Sequence, residues 1–445
     1  MEILYEDDDI RVIHRRGPSA FTLVTFSGLE DRPEDGAFWA ERPVAKLDLD
    51  CIGFVAKQRS VYPPRAMQAA APLVQARARP LRLGIGFSIG GYAAMRYGRL
   101  LGLTHALGLS PLFGLGPLDA PEDTRNFFLY QPDKHQGTRV LRHHMARWTL
   151  VATDPWDDYE ARRLAHYGAL GSHRVATPHM AHFSVHLLRG TAVLAQVLCL
   201  MLAEDVAGLR TLFRQRRRAL PLWLGLLGTA ALRHNRRLLA GRLLARAVAA
   251  GLPPAALATP LVLETLRGCD RLDQAGRSAE ADTLAQATAQ DWPEEARLQE
   301  LWAHRLLRSG RSHAAEPLFR ASLALAPDLA TAHEGLSLAL ARLARPAEAL
   351  APAQRAAELR PGEPAVLAWL GHVLMQLGRA EEAQAPFRAA LALAPGLAHA
   401  AWGLALAWQE LAQPKAALAV LEPALRHNPA DPQLLELRAR LLPGA

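Results

Sequence analysis

Through about residue 207, short β-rich apolar runs alternate with stretches whose apolar residues recur at helical spacing, the pattern of a sheet flanked by helices. Strands are predicted at 11–14, 21–26, 48–55, 81–86, 105–109, 149–152 and 174–176, and helices at 64–77, 90–101, 158–167 and 184–207. Several of the runs are apolar throughout, as a parallel sheet buried on both faces requires. Beyond about residue 260 the β signal ends, and Ala, Leu, Glu, Gln and Arg take over, the composition of packed helices.

That second half repeats. Pro293, Pro327, Pro361, Pro395 and Pro429 each follow the last by 34 residues, and twelve residues before each stands an alanine: Ala281, Ala315, Ala349, Ala383 and Ala417. Five residues before the prolines the chain has Thr288, Ser322, Ala356, Ala390 and Ala424, and a turn position falls at Gly276, Gly310, Ala344, Gly378 and Ala412. Small residues at those places let the second helix of a pair press on the first, and a proline cannot continue it. With Phe319 and Phe387 at a large apolar position, residues 262–432 resemble tetratricopeptide (TPR) repeats. The resemblance implies an all-α superhelix of antiparallel helix pairs, its concave face binding a peptide or protein partner.

Composition narrows the alternatives. The net charge of +8 comes almost wholly from arginine, since only Lys46, Lys57, Lys134 and Lys415 are lysines. With 6% aromatic residues and no basic stripe, the chain lacks the footprint of a nucleic-acid binder. Cys51, Cys199 and Cys269 lie far apart without metal or disulfide spacing, so no metal, cofactor or disulfide is expected, and a cytoplasmic protein is. The opening MEILYEDDDI is acidic and has no basic segment followed by an apolar run, so no secretory signal is expected. The most apolar stretches, from Thr191 and from Leu220, fall short of the roughly 20 residues that span a bilayer and are expected as buried helices.

Three places carry possible chemistry. The strand LRLGIG runs into Gly86-Phe87-Ser88-Ile89-Gly90 and then a helix, the GxSxG turn that exposes a serine hydroxyl at a helix N-terminus. After the strand TLVA come Thr153 and Asp154, with Asp157 and Asp158 close behind. His179 and His182 follow, and only His182 precedes a Phe and an immediate helix. His143, His144 and His186 are expected to be surface or packing residues.

With the elbow, the Asp-Pro after a strand and the His-Phe before a helix in that order, residues 1–207 resemble the α/β-hydrolase superfamily. The resemblance implies Ser88 as nucleophile, His182 as general base and Asp154 as its orienting acid, with Asp157 or Asp158 able to serve instead. It also implies an oxyanion hole from the backbone N–H of Ile89 and of Gly28 or Leu29. The segment between Ser110 and Arg147 stands where a cap would, and its Phe127, Phe128 and Tyr130 could line an acyl or sugar pocket or form the cap's own core.

The chain is therefore expected to be an α/β-hydrolase-like domain (1–207), a helical linker or degenerate repeats (208–261) and a TPR array (262–445). The expected function is a serine esterase or acyl transferase joined to a protein-binding module, with a small acyl ester, such as an acylated glycan, as substrate. The alternative is a non-catalytic adaptor whose sheet domain is only a platform. The arginines at 214 and 216–218 also raise a polyanion-binding possibility, against which stands the plainer reading of a solvated helix face.

Overall fold

The computed structural model describes residues 1–28, 38–57, 61–121 and 123–442. Residues 1–230 with 239–256 form one compact unit, and 231–238 with 257–445 form a second.

The first unit is built on an eight-stranded mixed sheet. Its strands are β1 (Glu2–Glu6), β2 (Ile10–Arg15), β3 (Thr22–Phe26), β4 (Asp50–Ala56), β5 (Arg82–Phe87), β6 (His105–Leu109), β7 (Trp148–Thr153) and β8 (His173–Ala176), in the order β1-β2-β4-β3-β5-β6-β7-β8. From β4 onward every pairing is parallel, whereas β2 runs antiparallel to both β1 and β4. Around the sheet lie α1 (Glu41–Lys46), α2 (Pro64–Arg77), α3 (Ile89–Arg96), α4 (Asp158–Ala169), α5 (Thr191–Leu202) and α6 (Val206–Ala219).

Alternation along the strands divides the core in two. Val24, Phe26, Ile52 and Phe54 pack with Met67, Ala70 and Val74 of α2 and Tyr92 and Met95 of α3. Leu23, Cys51, Leu83, Ile85 and Leu107 face the other way, against Leu194, Val197 and Leu198 of α5 and Leu209, Leu212 and Phe213 of α6. The 111–146 segment is anchored to the first core through Leu112, Phe113, Leu115, Leu129 and Val140.

Three expectations change. The edge strand β1 and the short α1 were not anticipated: EILYE is acidic and half exposed, and α1 contains Pro43. The helix expected over 184–207 is broken. A 3-10 turn, Ser184–Leu188, comes first, Gly190 adopts φ 117°, and α5 and α6 follow separately, so the boundary expected at 207 falls inside a helix of the sheet's own core. Residues 208–261, expected as a helical linker or degenerate repeats, include α7 (Pro221–Arg233) and α8 (Arg237–Ala249).

The second unit is a series of helix pairs: α9 (Ala258–Gln274) with α10 (Ser278–Asp291), α11 (Ala296–Arg308) with α12 (Ser312–Leu325), α13 (Ala330–Arg342) with α14 (Pro346–Leu359), α15 (Pro364–Gln376) with α16 (Ala380–Leu393), and α17 (Ala398–Glu410) with α18 (Pro414–His427), followed by α19 (Pro432–Leu441). The packing is that of a TPR-like superhelix. All five alanines of the ladder are fully buried, and Phe319 and Phe387 fill the space over Gly335, Gly371 and Gly403. Each second helix ends two residues before its proline, so the proline stands in the turn. Among the described residues no helix is long and apolar enough to cross a membrane.

The turn position is left-handed in all five pairs, with φ 71° at Gly276, 77° at Gly310, 56° at Ala344, 70° at Gly378 and 57° at Ala412. A Cβ is strained in this conformation, and glycine is not. Ala344→Gly and Ala412→Gly should each stabilise the repeats by about 0.5–1 kcal/mol in urea unfolding; a loss of stability would contradict this account of the turn.

Candidate functional site

Ser88 joins β5 to α3 with φ 55° and ψ −119°, a conformation that non-glycine residues adopt only under constraint. The flanking glycines show what holds it there. A Cβ on Gly86 would lie 2.1 Å from the Gly90 carbonyl oxygen, and one on Gly90 would lie 2.4 Å from that of Phe26, so neither position tolerates a side chain. Ser88 donates its backbone N–H to Leu109 O at 2.9 Å, fixing the turn to β6 as well.

The serine hydroxyl lies 2.9 Å from His182 Nε2, and His182 Nδ1 lies 2.9 Å from Glu160 Oε1. The Phe87 ring sits 5.0 Å from the imidazole, centroid to centroid. Ser88 and His182 are thus brought together. The acid differs: Glu160, in the first turn of α4, occupies the place expected for Asp154, Asp157 or Asp158.

Each of the two main candidate aspartates has other work. Asp157 caps α4, accepting from the N–H groups of Tyr159 (3.2 Å) and Glu160 (3.1 Å). Asp154, buried at the end of β7, accepts from the backbone N–H of Trp156 at 2.9 Å and of Ala181 at 2.8 Å, with His179 N–H also directed at it. Burial raises the Asp154 pKa, and these donors oppose the rise. His179 and Ala181 both have positive φ, so Asp154 holds the strained loop that presents His182 rather than the imidazole itself. From outside the loop, Arg217 Nη1 and Trp223 Nε1 donate to Pro178 O at 3.2 and 3.1 Å. Arg217 is therefore drawn inward, while Arg216 donates to Arg189 O at 2.7 Å, which leaves the arginine run less free for a polyanion than the sequence suggests.

Glu160 is fully buried. Burial alone would raise its pKa, but the His182 hydrogen bond, the charge of Arg163 and the Thr153 hydroxyl outweigh it and hold the carboxyl at about 2 against an ordinary 4.5. A sequence signal for it exists. Glu160, Arg163 and Tyr167 recur at helical spacing and are all buried, so α4 turns an i, i+3 pair of opposite charges toward the core.

Ile89 opens α3, where backbone N–H groups lack intrahelical acceptors. The close approach of Phe26 and Ser27 to Gly90 brings the end of β3 beside that helix start, with Gly28 next in the chain. Leu29 lies outside the described residues. Of the aromatics in the 111–146 segment, Tyr130 packs over Gly116, and Phe128 is 63% exposed. No group of three or more His, Cys, Asp or Glu that could hold a metal ion is found among the described residues.

No family model matches the chain, and no curated protein matches it. Among solved structures it is similar to YrrB, described as a TPR protein with an unusual peptide-binding site, at 20% identity over 41% of this chain and 92% of that one, with a TM-score of 0.36. MamA follows at 17% identity over 39% and 92%, with a TM-score of 0.35. TTC0263, a thermophilic TPR protein in Thermus thermophilus, is 24% identical over 40% and 96%, with a TM-score of 0.33.

Because its folded pKa is depressed, Glu160 contributes stability that is fully present above the unfolded value near 4.5 and is lost as pH falls through about 2. Unfolding of the wild type and of Glu160→Gln, followed across pH, should show a stability gap that is widest at neutral pH and narrows through that window. A gap independent of pH would contradict an ionised buried Glu160.

Proposed function

We propose that the sheet unit is a serine hydrolase of the α/β-hydrolase type and that the helical repeats are a protein-binding module that brings it to its target. The observation that carries the first half is the hydrogen-bonded chain from Ser88 Oγ through His182 to buried Glu160, built on a strained elbow that glycines alone permit. In this reading Ser88 Oγ attacks an acyl carbonyl while His182 Nε2 takes the hydroxyl proton, and Glu160 stabilises the resulting imidazolium. Ile89 N–H, with Gly28, would receive the developing oxyanion. His182 then returns the proton to the departing alcohol, and water or a second hydroxyl, activated by the same histidine, releases the acyl group. A small acyl ester suits this chemistry, and an acylated glycan is one such substrate.

The second half rests on the repeats. Trp369 and His372 on α15 and His399 and Trp402 on α17 gather on the first helices of adjacent pairs, with His372 6.1 Å from both His399 and Trp402, ring to ring. Half-exposed aromatic and imidazole rings in a row suit a peptide side chain. The three unpaired cysteines fit a reducing, cytoplasmic setting. A second reading, an adaptor with an idle sheet unit, is favoured by the similar structures, whose descriptions name TPR proteins and a peptide-binding site but no enzyme.

A fluorophosphonate probe separates the two. Labelling of the wild type should vanish in Ser88→Ala, fall about 100-fold or more in Glu160→Gln and persist in Asp157→Ala, which removes a side chain that caps α4 and not the carboxylate on His182. Absence of labelling in folded wild type would leave the adaptor. For the repeats, pull-down with the full chain should recover a partner that Trp402→Ala and His372→Ala lose and Ser88→Ala keeps; recovery indifferent to both ring substitutions would contradict binding at that row.

A further inference from the structure

Behind Glu160 the buried charge continues. Arg163, 1% exposed, directs Nη1 to Glu160 Oε1 at 2.8 Å, the same oxygen that accepts from His182 Nδ1. Its Nε and Nη2 both reach Asp123 Oδ2, at 2.8 and 2.6 Å. Asp123 is 4% exposed and belongs to the segment inserted between β6 and β7, far from α4 in sequence.

One guanidinium is thus shared between two carboxylates, which leaves Glu160, Arg163 and Asp123 with one negative charge in excess. Protonated His182 cancels that excess, so the arrangement favours the imidazolium a general base must become. Without Asp123, Arg163 would be spent wholly on Glu160, and protonation of His182, whose side chain is 35% exposed, would leave a net positive cluster. We propose that Asp123 is a positioning and charge-tuning residue for His182, acting through Arg163 and Glu160, and that the inserted segment thereby sets the proton affinity of the base.

Other charged and titratable groups surround the histidine. Asp154 and Asp157 lie in the loop after β7, His179 and His186 flank His182 on its own segment, and Arg217 approaches from α6. Neutralising Asp123 removes one negative charge whatever the others contribute, so the direction of the effect is fixed.

The proposal refines the hydrolase reading, but its test does not need turnover. In full-length protein with 15N-labelled histidine, the His182 signals are those absent from His182→Asn, and their titration midpoint reads the proton affinity directly. Asp123→Asn should lower that midpoint by about half a pH unit or more. Asp123→Asn/Arg163→Gln, which removes anion and cation together, should return it to the wild-type value or above. Thermal unfolding of each variant is recorded alongside. Should the single variant unfold, the double one is read against Arg163→Gln alone: a lower midpoint in the double variant supports the proposal, and equal midpoints overturn it. An unchanged or raised midpoint in folded Asp123→Asn would make Asp123 a purely structural anchor. Failure of fluorophosphonate labelling would overturn the hydrolase reading and leave this result standing.

Discussion

Glu160 is a carboxylate with no access to water, and a buried charge persists only if its neighbours replace the solvation it has lost. Thr153, Arg163 and His182 do so, each from a different part of the fold: the end of β7, the next turn of α4 and the loop after β8. The placement of that loop depends in turn on Asp154 and on donors from Arg217 and Trp223. The histidine is therefore oriented by a charge that it helps to stabilise. Ionisation of Glu160, orientation of His182 and packing of α4 form one condition.

The serine side of the site rests on a different constraint. There the backbone is forced by proximity, because β5, α3 and the end of β3 approach so closely that Gly86 and Gly90 leave no room for a Cβ. Strain at Ser88 is thus held by packing of the sheet against α3. Polar satisfaction fixes one half of the site and steric exclusion the other. The two meet across a single 2.9 Å hydrogen bond.

These differences explain what could be read in the sequence. Gly86-Phe87-Ser88-Ile89-Gly90 was legible because the steric demand is local and names its residues. The 34-residue ladder was legible for the same reason, since each turn and each close helix contact selects a small residue in place. The carboxylate that meets His182 was not, because Asp154 stands where a strand-end acid belongs, yet three-dimensional contacts give it to the backbone of the histidine loop. Glu160 is one of several acids at the start of α4, and only its buried pairing with Arg163, itself paired with Asp123, distinguishes it. The continuation of the sheet unit through α6 was hidden too, because in a helix that ends in Arg214 and Arg216–Arg218 the apolar side shows only as Leu209, Leu212 and Phe213.

The central claim, that Glu160 and not Asp154 holds His182, has a direct spectroscopic test. A proton shared between His182 Nδ1 and a buried carboxylate should resonate well downfield of the amide envelope in the proton spectrum. The account predicts such a resonance in the wild type, its loss in both His182→Asn and Glu160→Gln, and its retention in Asp154→Asn. A resonance that survives Glu160→Gln but disappears with Asp154→Asn would contradict it.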